Sequence, residues 1–186
     1  VVKYNSTAFI KFLSEKTGKA YSDLVVSVGH DSRISADRIR EAVISVVSGM
    51  GVNVLNCSYC STPAMFMTTV TRNCDGAIQI TASHHPFDRN GLKFFTRDGG
   101  LSGEELKSIL ADAENEPCEK AEKVGAITPI DYISEYAELL RNMIKQEVNA
   151  ENYEKPLEGF KIAVDAGNGV GGFYATKVLA PLGADV

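Results

Sequence analysis

Apolar positions along the chain fall into two spacings, one helical and one extended. Between residues 6 and 17, Ala8, Phe9, Phe12 and Leu13 share a helical face, and Gly18 supplies a stop. Leu24 to Val28 is a short, β-branched run that predicts a buried strand, followed by a polar loop from His30 to Ile34. Ser35 then reads as the cap of a helix with Ile39, Ala42, Val43, Val46, Val47 and Met50 on one face, ended by Gly51. Val52 to Leu55 predicts the next strand. Thr62 as N-cap, with Pro63 behind it, opens a helix to about Arg72. Ala77 to Thr81 predicts a third strand.

Residues 82–91 break this rhythm with a polar, turn-forming stretch. Leu92 to Thr96 is extended again, and Arg97 to Gly100 reads as a turn. Ser102 with Glu105 makes a capping box for a helix to about Ala113. Residues 114–128 form a charged connector, and Ile130 to Val148 a long helix with Ile133, Tyr136, Ala137, Leu140 and Ile144 on one side. Beyond it, Lys161 to Asp165 predicts a strand, Gly167 to Gly172 a glycine-rich turn and Phe173 to Leu182 a helix.

Strand–helix alternation over residues 24–81 predicts βαβ units. The expected fold is α/β: a three-layer αβα domain with a mixed, mainly parallel sheet over residues 1–150. A linker is expected at 151–159, and residues 160–186 as the opening βα unit of a second, similar domain. One such unit cannot bury a core of its own, so the chain reads as a piece of a larger polypeptide.

Composition narrows the function. Of 186 residues, 44% are hydrophobic and 23% charged, which is a globular mixture rather than a disordered one. The net charge of −5 and the lack of a basic run argue against nucleic acid or an anionic membrane surface as partner. No apolar stretch reaches the roughly 20 residues that a membrane helix needs. Cys57, Cys60, Cys74 and Cys118 are too sparse for a disulfide scaffold, and the Cys57–Cys60 pair has no second pair to complete a zinc site. A reducing, cytoplasmic location is expected.

The densest chemistry lies in Thr81-Ala82-Ser83-His84-His85-Pro86, continuing to Asn90-Gly91-Leu92-Lys93. It places a hydroxyl, two imidazoles and a lysine at a strand end, where open α/β sheets bind ligands. A serine hydroxyl is a poor nucleophile until a base or its electrostatic surroundings activate it. The plain alternative is a polar loop whose side chains cap neighbouring backbone. Arg33, after the first strand, is within reach of the same crevice and can bind a phosphate there, or belong with Asp31 to a structural turn. Gly167 to Gly172 spells G-x-G-x-x-G, a weak sign of a dinucleotide site that tight strand–helix packing also explains.

The loop Thr-Ala-Ser-His-His-Pro…Asn-Gly-Leu-Lys resembles the phosphoserine loop of the α-D-phosphohexomutases, the family of phosphoglucomutase and phosphomannomutase. Val28-Gly29-His30-Asp31-Ser32-Arg33 is similar to the family's V-G-R-D-x-R, and Ser61-Thr62-Pro63-Ala64 to its (P/S)-T-P-A. Lys161 to Gly169 resembles the opening of its second domain. His85 stands where Asn is usual and His30 where Arg is usual.

The resemblance implies an enzyme that interconverts hexose 1-phosphates and hexose 6-phosphates through a bisphosphorylated sugar. Ser83 would carry the phosphoryl group, with Lys93 and His84 as the other catalytic residues and Arg33 and Asn90 as phosphate or substrate contacts. Mg²⁺ would be bound through the Ser83 phosphate, its remaining ligands and domains 2–4 of the polypeptide lying outside this sequence. The residues present are expected to be inactive alone. The competing readings are a nucleotide- or sugar-phosphate-binding module without turnover, and a serine hydrolase on Ser83 and His84. The second lacks the G-x-S-x-G elbow such enzymes use.

Overall fold

The computed structural model describes residues 1–114 and 120–186. Cys118 and the middle of the acidic connector lie outside them. Contacts divide the chain into two units, Val1–Ile130 and Asp131–Val186.

In the first unit the elements are α1 (Val2–Thr17), β1 (Val25–His30), α2 (Ala36–Gly49), β2 (Asn53–Tyr59), α3 (Thr62–Thr71), β3 (Gly76–Ile80), β4 (Leu92–Thr96), β5 (Gly99–Gly100), α4 (Gly103–Ala113) and β6 (Ile127–Pro129). They build a sheet of order β5-β4-β3-β1-β2-β6. β1 pairs in parallel with β2 and β3, and β6 in parallel with β2. β4 runs antiparallel to β3, and β5 to β4. This is the mixed, mainly parallel sheet that the alternation predicts.

Period-2 alternation sends Val26, Val28, Ile78 and Ile80 to one face, where they pack with Phe9, Ile10 and Leu13 of α1, Val43 and Val47 of α2 and Ile109 of α4. Phe9 stacks on Phe94 with ring centroids 4.4 Å apart. α3 covers the opposite face. It approaches so closely that a Cβ on Gly29 would stand 2.6 Å from Met65 Sδ. There the Ser27 and Thr68 hydroxyls bond each other at 2.5 Å, so the polar atoms of this layer are paired rather than buried bare. α2 and α3 leave opposite faces, which puts a topological switch point between β1 and β3.

Several local expectations shift. α1 begins at Val2 rather than at residue 6; Ser6 Oγ donates to the Val2 carbonyl at 2.9 Å, which lets a polar residue be buried in the first turn. β1 continues through His30, which sequence reading places in a loop, and β2 through Tyr59. Ser61, not Thr62, caps α3 by accepting from the Ala64 N–H at 3.4 Å. Ser35 sits at the N-cap position of α2 without a capping bond, its hydroxyl being used elsewhere. The Ser102–Glu105 capping box is present in both directions. β5 and β6 replace expected turn and connector; both are too short to leave a periodic signal.

The second unit differs most from expectation. α5 (Tyr132–Val148) packs Ala137, with Leu140 and Ile144, against Leu157, Phe173, Tyr174, Val178 and Leu182. The contact boundary falls at residue 130, and in the second unit Leu157 and residues 173–182 share a core with this helix. The expected strand at 161–165 is reduced to one bridge, Lys161 to Asp185. The expected helix is a 3₁₀ turn at Val170–Gly172, a π-helix at Tyr174–Leu179 and another 3₁₀ turn at Ala180–Leu182. Asp131 caps α5 through Ser134, whose hydroxyl holds the carboxyl below its ordinary pKa. No helix among the described residues is long and apolar enough to cross a membrane.

Cys57, Cys60 and Cys74 are buried and form no disulfide. Burial pushes Cys60 up to about 12 and Cys74 up to about 11, so neither holds the thiolate that redox or metal chemistry requires. These three thiols should therefore resist iodoacetamide at mildly alkaline pH in the folded protein and react once urea unfolds it. Peptide-level mass spectrometry reads each site; rapid labelling of Cys57 and Cys60 in the native state would show them to be accessible, reactive thiols instead.

Candidate functional site

The loops that follow β1 and β3 meet at the switch point, beyond the carboxyl ends of the two strands. The Asp31 N–H donates to the Ile80 carbonyl at 3.1 Å, and the Thr81 N–H to the Gly91 carbonyl at 3.0 Å. The second bond closes residues 82–90 into a loop between antiparallel strands. Such a loop has no ladder of its own; two turn bonds, from the His85 N–H to the Ala82 carbonyl and from the Arg89 N–H to the Pro86 carbonyl, each at 3.0 Å, shape it locally, and the rest of its order comes from side chains.

Asp31 and Arg33 supply it. Asp31 Oδ2 accepts from the Thr81 hydroxyl at 2.7 Å and from Arg33 Nε at 3.1 Å. The Thr81 hydroxyl in turn accepts from the Ser83 N–H at 3.0 Å. The Arg33 guanidinium then reaches across the loop. Nη2 donates to the Ser83 carbonyl at 2.7 Å, and Nη1 lies within 3.1 Å of the carbonyls of His85, Pro86 and Arg89. Only 7% of the Arg33 side chain is exposed. A fixed fork of donors suits this task, because four carbonyl dipoles point at one delocalised cation.

Ser83 emerges from this frame on an exposed position with φ 54°, in the left-handed region. For a residue with a Cβ that conformation costs about 1–3 kcal/mol, and it persists where the surroundings impose it. Here the two bonds through the Ser83 N–H and carbonyl impose it. They engage its backbone and leave its hydroxyl outside the network.

The other sequence-predicted residues are placed as follows. His84 and His85 are exposed and their rings stack, centroids 4.8 Å apart at 21°. Lys93 is exposed on β4 opposite Gln79, two residues past the loop's closing bond. Arg33 is beside the serine, with its guanidinium bonded to the loop backbone as a clamp. Asn90 is turned inward: Nδ2 donates to Ser35 Oγ at 2.5 Å, and Oδ1 is buried without a partner among the described residues. That bond takes the hydroxyl expected to cap α2. Asp31 and Thr81 carry more of the site than sequence reading gave them. Their only signal was their place inside the two quoted motifs.

The described residues contain no group of three His, Cys, Asp or Glu side chains able to hold a metal ion. They do not by themselves make a Mg²⁺ site. The glycine-rich stretch lacks the strand–turn–helix frame of a dinucleotide motif. Gly167 and Asn168 form a left-handed turn closed by the Gly169 N–H to the Ala166 carbonyl at 2.8 Å, and the strand and α-helix that the motif needs on either side are absent there.

Residues 2–119 match the family described as phosphoglucomutase/phosphomannomutase, alpha/beta/alpha domain I. A phosphoglucomutase of Neisseria meningitidis serogroup A is 32% identical over 161 residues, covering 87% of this chain and 33% of that protein. A phosphoglucosamine mutase of Alkaliphilus oremlandii is 34% identical over 167 residues, covering 87% of this chain and 35% of that one. The chain thus spans about a third of the length of the curated relatives it matches. A phosphoglucomutase/phosphomannomutase family protein of Burkholderia thailandensis shares the fold, with a TM-score of 0.74 at 24% identity over 99% of this chain and 38% of that one.

The clamp is testable by itself. Arg33→Met should cost about 2 kcal/mol in urea denaturation, the range of hydrogen bonds to a charged group. It should also speed tryptic cleavage after Arg89 at least about tenfold, since proteolysis follows the population of the open loop. Unchanged cleavage would mean that the loop keeps its shape without the guanidinium.

Proposed function

The chain belongs to the phosphoglucomutase/phosphomannomutase family, and from that premise we propose that it is the phosphoryl-carrying part of a hexose-phosphate mutase. The observation that supports this most is Ser83: an exposed hydroxyl on a strained residue, at the switch point of the sheet, with its backbone clamped and its side chain uncommitted. Phosphoryl transfer asks the protein mainly for position and charge neutralisation, so a rigid carrier matters more than an activated nucleophile.

In the proposed cycle Ser83 Oγ carries a phosphoryl group. A hydroxyl of a bound hexose monophosphate attacks phosphorus; the new sugar O–P bond forms as the Oγ–P bond breaks, and the proton lost by the sugar hydroxyl passes to the departing Ser83 Oγ. The bisphosphorylated sugar reorients, and the Ser83 hydroxyl attacks its other phosphate, losing a proton that the released sugar oxygen regains. Lys93 is the proposed carrier of these protons. It stands on a paired strand just past the loop, while the His84 ring is stacked on His85. The phosphate on Ser83 is also this chain's proposed contribution to a Mg²⁺ site whose further ligands these residues do not supply. Which hexose phosphate is used is left to the part of the enzyme that contacts the sugar.

In the intact enzyme Ser83→Ala should remove nearly all mutase turnover, and phosphopeptide analysis of the wild type should find phosphate on Ser83. Full activity in the alanine variant ends the proposal.

Lys93→Ala should lower kcat by about 10²–10⁴, the usual worth of positioned proton transfer, and alter the pH–rate profile. Should it change only KM while His84→Ala collapses kcat, the two roles are reversed.

A further inference from the structure

Behind the Asp31–Arg33 clamp lies a buried histidine that none of the steps above uses. His30, the last residue of β1, is 4% exposed. Its Nδ1 stands 2.7 Å from the carbonyl oxygen of Asp31. A carbonyl oxygen only accepts, so Nδ1 carries the proton and this tautomer follows from the contact itself. The other nitrogen, Nε2, faces α2, with Arg40 Nη1 and Asp37 Oδ1 each at 3.5 Å. Arg40 is itself held, by Ser58 Oγ at 2.8 Å and Asp37 Oδ1 at 3.1 Å. Tyr59 of β2 closes the remaining side, its ring edge-on to the imidazole at 5.5 Å. The ring is thus gripped from α2 and β2 and has one outgoing bond, to the peptide of Asp31.

That peptide is where the clamp begins. The direction of the Asp31 carbonyl fixes the orientation of its peptide plane, at the point where β1 ends. The carboxylate of the same residue holds the Thr81 hydroxyl and Arg33, and Arg33 also takes its backbone N–H bond to Asp31 Oδ1 at 3.3 Å. We infer that His30 is a positioning residue: its Nδ1–H sets the Asp31 peptide, and through Asp31 and Arg33 it sets the left-handed conformation in which Ser83 presents its hydroxyl. The importance of that conformation for turnover rests on the phosphoryl-carrier reading given above; the mechanical linkage does not.

Two substitutions separate this from mere filling of space. An asparagine amide nitrogen occupies the position of Nδ1, and a glutamine amide nitrogen that of Nε2. His30→Asn therefore keeps the donor to Asp31, whereas His30→Gln loses it. Amide hydrogen exchange in the intact protein should show faster exchange over residues 82–90 in His30→Gln, at least about tenfold, with β1 and β3 still protected. His30→Asn should stay near wild type. In the mutase assay His30→Gln should lower kcat about tenfold or more with KM little changed, since misplacement acts on the reacting geometry, and His30→Asn should recover most of it. Equal loosening in both variants, loss of strand protection along with the loop, or a wild-type loop in His30→Gln would each overturn the inference. If Ser83 proves not to carry phosphate, the carrier reading fails while the exchange comparison still decides the linkage.

Discussion

One guanidinium determines whether this molecule has a site at all. Residues 82–90 are mostly polar and have two turn bonds of their own but no ladder. Their carbonyls converge because Arg33 lies beneath them, and Arg33 lies there because Asp31 holds Nε. The pair stands at the end of two adjacent parallel strands, β1 and β3, in the middle of the sheet. Its cost is the burial of a charge, offset by a carboxylate and by oriented dipoles rather than by water. A lysine would bring the charge without the fork, and the geometry would not follow.

Much of the architecture was legible in the order of residues. Leu24 to Val28 and Ala77 to Thr81 are β-branched, apolar and bounded by turn formers, and they are β1 and β3. Gly18 stops α1 in the left-handed conformation that only a residue without a side chain adopts freely. The capping box at Ser102 was visible because both its bonds lie within four residues of sequence. β5 and β6 were not visible: one is a pair of glycines, the other three exposed residues at the sheet edge, and pairing with a neighbour alone makes them strands. The second unit misled for a related reason. Its apolar periodicity is helical, and the backbone there follows it as 3₁₀ and π turns rather than as an α-helix.

The site divides along the same line. The serine loop announced itself by composition, and Ser83 stood out in it as the hydroxyl that the loop leaves exposed. What holds the loop was not identifiable. Arg33 reaches carbonyls 50 to 56 positions away, and acceptance by a main-chain oxygen is blind to which side chain that residue bears. Nor was the bond from Asn90 to Ser35 Oγ, 55 positions away, legible in either motif. His30 looked like loop and is buried, because its polarity is matched by Asp37, Arg40 and a peptide rather than by water.

The left-handed backbone of Ser83 has a bearing on amino-acid choice. Two ordinary side chains offer an aliphatic hydroxyl, and by chemistry alone either serves as an acceptor. Threonine differs by one methyl group on Cβ, and a branched Cβ is the feature that a φ of 54° tolerates least. The alcohol at this position is therefore selected by a torsion angle of the main chain. The single methyl that separates the two amino acids would have to be accommodated by releasing the clamp itself.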